Sequence, residues 1–105
     1  MIYIAAPYYS PYPVVIETRM FAVYAYAAKL MQVGKHCITP MFFHPVVKLH
    51  ELPNDFAFWG DLSLDLLKRC DEMHLLKLEG WSVSRGVKEE LDFCHKNGIK
   101  VSYVE

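Results

Sequence analysis

Strand-like and helix-like patterns alternate along the whole chain, and this alternation limits the fold more than any other feature of the sequence. Residues 1–6 (MIYIAA) are an apolar run stopped by Pro7, the pattern of a buried strand. Residues 7–13 (PYYSPYP) hold three prolines and three tyrosines and predict a loop. From Val14 to Val33 the residues Ile16, Met20, Val23, Ala27 and Leu30 recur at three- and four-residue steps, predicting a helix that Gly34 ends. Residues 36–39 (HCIT) predict a short second strand closed by Pro40. Residues 40–53 carry three prolines and no period, which predicts a loop lying over something. Asn54 or Asp55 caps a second helix that reaches about Arg69. Residues 71–78 predict a third strand, and Gly80 and Trp81 a turn. A third helix runs from about Ser84 to Asn97, stopped by Gly98, and Ile99 to Val104 predict the last strand.

The order β-α-β-α-β-α-β predicts an α/β fold: a parallel sheet of about four strands, order 2-1-3-4, with helices on both faces, in a flavodoxin-like arrangement. Crossovers in such sheets are right-handed, and ligands bind outside the carboxyl ends of the strands near the topological switch point. Three places qualify: the loops after strands one and two, and the turn from strand three into helix three. The length of 105 residues predicts one small domain over residues 1–105, without repeats or linkers.

Composition narrows the function classes. Hydrophobic residues make up 53%, which excludes a disordered chain. Eleven basic residues against twelve acidic ones leave no excess for a phosphate backbone, so a nucleic-acid polymer is not an expected partner. Cys37, Cys70 and Cys94 form no CxxC pair and are odd in number, as expected of buried thiols in a reducing compartment. The N-terminus lacks a positive n-region, and the longest apolar stretch, Met20 to Ala28, is too short to span a bilayer. A cytoplasmic protein without membrane contact is expected. His36, His44, His50, His74 and His95 show no metal-ligand spacing, so no metal is expected. GxGxxG and P-loop patterns are missing, and no cofactor is expected. Tyr8, Tyr9, Phe42, Phe43, Phe56 and Trp59 fall near the predicted cleft, where aromatic rings suit a planar base.

Residues 80–98 (GWSVSRGVKEELDFCHKNG) concentrate the chemistry. Val83, Val87, Leu91 and Cys94 set an apolar stripe. Glu90, three residues after Val87 and four before Cys94, lies on its flank, whereas Glu89 points toward water. A carboxylate turned toward a sheet is costly unless it is paired or used. Gly86, one turn earlier, leaves a path to that carboxylate. Ser84 opens the helix, where a hydroxyl and free N–H groups can hold an anion. One small anionic substrate can span Ser84 and Glu90. From the residues alone a second reading is equally good: Glu90 as a boundary residue paired to Lys or Tyr, and Ser84 as a simple N-cap.

Three blocks of the sequence carry a family resemblance. IYIAAPY (2–8), LLKRCDEMHLLKLEGW (66–81) and SRGVKEE (84–90) resemble, in order, the first strand and loop, the "LL..CD...L.GW" block and the "S-x-G-x-x-x-E" motif of the nucleoside 2-deoxyribosyltransferase-like superfamily, especially its short, often phage-borne members. The resemblance implies that Glu90 is a nucleophile attacking the anomeric carbon of a nucleoside or nucleotide, and that Tyr3 orients it. Cleavage of an N-glycosidic bond passes through an oxocarbenium-like state, which a nearby carboxylate stabilises or captures. Ser84, where transferases on free nucleosides carry Asp, implies a 5′-monophosphate substrate and hydrolysis, since Asp would repel the dianion. Gly86, Arg85, Pro7 and Tyr8 complete the implied substrate and phosphate cradle. His44 lies in a loop similar to the one that covers the base in the family, and Trp59, from its place near the predicted cleft, is the second candidate base contact. The family's usual helix-two Asp falls here on Ser63, with Asp61 and Asp65 flanking it on other faces of the helix. The implied function is a (deoxy)nucleoside 5′-monophosphate N-glycosidase working as a homodimer or higher homo-oligomer. A non-catalytic nucleotide sensor and a deoxyribosyltransferase are the alternatives.

Overall fold

The computed structural model describes residues 1–105. Four strands, β1 (Ile2–Ala5), β2 (Cys37–Ile38), β3 (Glu72–Leu76) and β4 (Lys100–Val104), form one parallel sheet in the order β2-β1-β3-β4. The helices are α1 (Pro13–Gln32), α2 (His44–His50), α3 (Phe56–Leu67) and α4 (Arg85–Asn97). The expected strand order and the flavodoxin-like α/β architecture are therefore both present.

The side chains of β1 divide the core by their two-residue period. Ile2, Ile4 and Ala6 pack with Ile16, Met20, Val23, Ala27 and Leu30 of α1. Tyr3 and Ala5 face the other way, into a cluster with Leu67 from the end of α3, Met73 and Leu75 of β3, and Val87 and Cys94 of α4. So α1 covers one sheet face, and α3 and α4 the other. All three cysteines are buried and free.

Local chemistry sets the helix ends. Pro13 starts α1, where its missing N–H costs nothing. The Asp55 carboxylate caps α3 by accepting from the Phe58 N–H at 3.2 Å. Ser84 caps α4 by accepting from the Val87 N–H at 3.3 Å, and Gly98 closes it in the left-handed region.

Two expectations need correction. Residues 40–53 are not all loop: Pro40–Phe43 is a 3₁₀ turn, capped by Thr39, that runs into α2. Pro40 and Pro45 occupy first-turn positions, where proline fits a helix, so they mark starts rather than breaks. Val83 does not extend the apolar stripe of α4. It lies in the 3₁₀ turn Trp81–Val83 and is 87% exposed.

Candidate active site

The segments that follow β1, β2 and β3 meet the amino ends of α3 and α4 around a cavity of about 380 Å³. That size suits a small molecule. The position is the one the sheet topology favours, at the carboxyl edge where the chain leaves the neighbouring strands β1 and β3 in opposite directions.

Glu90 forms part of the wall, reached from one turn inside α4. It is 6% exposed, so it is buried rather than at a boundary, although the tyrosine partner and the Ser84 cap of the second reading are both present. The Tyr3 hydroxyl donates a hydrogen bond to Glu90 Oε2, so a tyrosine is the carboxyl's partner. Burial pushes the Glu90 carboxyl up to about 7, against the Tyr3 hydrogen bond, which lowers it. Tyr3 is itself fully buried, and burial followed by the Glu90 charge holds its phenol well above the ordinary value. Ser63, buried in α3, also lines the cavity and acts on the same phenol in the opposite sense. Behind Glu90, the Cys94 thiol is raised to about 11 by burial and by the carboxylate, which makes it inert.

The amino end of α4 supplies Ser84, Arg85 and Gly86 to the same cavity. Gly86 serves a purpose the sequence did not disclose. A Cβ there would come within 3.2 Å of the Phe56 ring, and one at Gly60 within 2.7 Å of the same ring. Phe56 is thus wedged between two glycines on neighbouring helices, with the Arg85 guanidinium over its face at 5.6 Å. The space over Gly86 is occupied by this ring rather than open along its whole length.

Pro7, Tyr8, His44 and Trp59 also line the cavity. Trp59 donates from Nε1 to the Pro53 carbonyl at 2.7 Å and lies nearly parallel to Phe43, with ring centres 6.4 Å apart. Of the other aromatic candidates, Tyr9 and Phe56 line the wall, while Phe42 and Phe43 do not. Asp61 is exposed and outside the cavity. Asp65 pairs with Lys68 and Arg69 at 3.6 and 3.3 Å on the outer side of α3. The helix therefore keeps the register that puts Ser63, and no acid, against Tyr3.

One wall residue escaped the sequence reading. The Arg19 guanidinium donates from Nη1 to the Tyr9 carbonyl at 2.8 Å and the Tyr8 carbonyl at 3.3 Å, and from Nη2 to the Glu79 carbonyl at 3.1 Å. It ties the β1–α1 loop to the β3–α4 turn and lies against Gly80, whose φ of +91° and lack of a side chain both suit that approach. A signal existed: Arg19 lies three residues after Ile16 and four before Val23, on the flank of the buried stripe of α1.

Fold and site together define a flavodoxin-like α/β protein with a buried, protonatable carboxyl in a cavity for small ligands. The family model described as Domain of unknown function (DUF1937) matches residues 1–105, and the chain belongs to that family. The comparison with curated proteins returns no match. No three His, Cys, Asp or Glu side chains converge as a metal site, and no helix is long and apolar enough to cross a membrane.

Proposed function

We propose that this protein hydrolyses the bond between base and sugar in a (deoxy)nucleoside 5′-monophosphate, with Glu90 as the nucleophile. The supporting observation is a buried carboxyl, held by one phenol, in a cavity that also presents the capped amino end of a helix. The same reading places the family within the nucleoside 2-deoxyribosyltransferase-like superfamily.

In this reading the phosphate sits at the start of α4, where the helix dipole, the N–H groups beside Ser84 and the Arg85 and Arg19 cations favour a dianion. The base lies toward Trp59 and His44. Ionised Glu90 attacks the anomeric carbon, the oxocarbenium-like state gains from the adjacent negative charge, and water then releases the sugar phosphate. Removal of water from the site by substrate strengthens that electrostatic term. Free thiols fit a cytoplasmic setting. Exposed Val14 and Phe21, seven residues apart on α1, fit a contact between subunits of a homo-oligomer.

The test is incubation with deoxy- and ribonucleoside 5′-monophosphates, with free base read by chromatography and Glu90→Ala run in parallel. Base release that depends on Glu90 is the expected result. Equal release by Glu90→Ala overturns the assignment. The absence of an acid at Ser63 favours a second reading, a nucleotide sensor, which tight binding without base release supports. Release only in the presence of an acceptor base identifies a transferase.

A further inference from the structure

A nucleotide base leaves poorly as an anion, so its departure calls for a proton. The α3 residue set against Tyr3 is Ser63, which has no acidic proton to give at neutral pH. Another chain of proton-bearing groups reaches the cavity from the loop after β1 and the start of α2. The Tyr8 hydroxyl and His44 Nδ1 lie 2.9 Å apart, and both residues form part of the wall. His44 Nε2 is buried without a hydrogen-bond partner, and the nearest carboxylate oxygen, Glu17 Oε1, stands 3.6 Å away. Lys48 Nζ holds that same oxygen at 3.1 Å, so Glu17 is kept ionised and aimed. A hydroxyl, an imidazole and a carboxylate in series are the components of a proton relay.

We propose that Tyr8 is the catalytic acid that protonates the departing base and that His44, backed by Glu17, resupplies its proton. This rests on the glycosidase reading above. As the Glu90 oxygen bonds to C1′, the C1′–N bond breaks and its electron pair passes to the base. The base takes the Tyr8 hydroxyl proton, and the Tyr8 oxygen takes the Nδ1 proton of the His44 imidazolium. In the second half, water attacks C1′ and frees the Glu90 carboxylate. The proton lost by that water returns through Tyr8 to His44, so the relay ends as it began. Tyr8 touches the base, while His44 and Glu17 are positioning residues.

The experiment compares 2′-deoxyguanosine 5′-monophosphate with its N7-methylated form, whose base leaves neutral without a proton. Three variants are measured on both: Tyr8→Phe, which keeps the ring; His44→Asn, whose amide can hold the Tyr8 hydroxyl but cannot supply a proton; and Glu90→Ala. Tyr8→Phe and His44→Asn are expected to lose about 100-fold or more in kcat on the unmethylated nucleotide. On the methylated one they are expected to lose less than about threefold, a split that a general packing defect does not produce. Equal losses on both substrates, or no loss on either, overturn the relay while leaving the nucleophile intact. Glu90→Ala is expected to lose activity on both nucleotides. If it does not, or if the unaltered protein releases base from neither nucleotide nor from any other of the deoxy- and ribonucleoside 5′-monophosphate panel, the glycosidase reading fails, and the relay with it.

Discussion

The sheet carries a tyrosine paired with a titratable group on each face, and the two pairs differ in what surrounds them. Toward α3 and α4, Tyr3 donates to Glu90, which is buried and has no cation to offset its burial. Toward α1, the Tyr26 hydroxyl and His74 Nδ1 lie 2.7 Å apart, and Glu72 Oε1 stands 3.4 Å from His74 Nε2. This second cluster is half-buried and borders no part of the cavity that Glu90 lines. Similar side chains thus reach opposite outcomes. Away from the cavity, a polar group finds its partners within the fold and meets no ligand. Where the fold withholds a neighbour of opposite charge and opens a cavity instead, the group is held away from its preferred ionisation state, which is the condition catalysis needs.

The largest effect that can break this comparison is on activity. Glu90→Ala is expected to lower base release by about 1,000-fold or more, while His74→Gln leaves it within about twofold. A comparable loss in His74→Gln would erase the distinction between the two faces.

Stability is next. The folded Glu90 carboxyl titrates near 7 against an ordinary value of 4.5. The native state therefore binds a proton that the unfolded chain has released, and stability from this group falls as pH rises from 4.5 through about 7. At pH 8 the neutral Glu90→Gln variant is expected to be more stable by up to about 3 kcal/mol in urea denaturation, with that advantage fading below pH 5. Glu72→Gln, partly exposed, is expected to change stability by less than about 1 kcal/mol at either pH.

Tyr3→Phe sharpens the contrast further. Its loss removes the hydrogen bond that favours ionised Glu90, so the acidic limb of the kcat/KM profile is expected to bend about one pH unit higher. Tyr26→Phe is expected to leave the profile in place. The smallest effect belongs to Ser84→Ala, which removes a helix cap and costs about 1 kcal/mol in thermal or denaturant melts. With it, KM for a 5′-monophosphate is expected to rise more than kcat falls.

Much of this was legible in the sequence, for reasons that also explain what was not. Glu90 stood out because a charge interrupted an apolar helical stripe, and the strand order is that of the flavodoxin-like arrangement that the alternating pattern predicted. Arg19 interrupts the stripe of α1 in the same way, but an arginine on a long helix has a ready alternative in snorkelling to solvent. Helix α2 was hidden by its prolines, which read as breakers until Pro45 was found in the first turn. Phe56 was read only as one aromatic near the cleft. Its place between Gly60 and Gly86 depends on α3 and α4 meeting, a contact between residues distant in sequence that no local pattern encodes.

The Arg19 brace has a consequence for how the cavity receives a ligand. One guanidinium fixes carbonyls from two loops that would otherwise fluctuate independently. Rim disorder is removed when the chain folds, so a ligand arriving later orders little more of the protein. Association then approaches the fit of one rigid surface to another, and the loss of conformational entropy on binding is small. The same coupling makes the rim brittle. A side chain at Gly80 would press on the guanidinium and shift both loops together, so a change on one side of the opening is felt on the other.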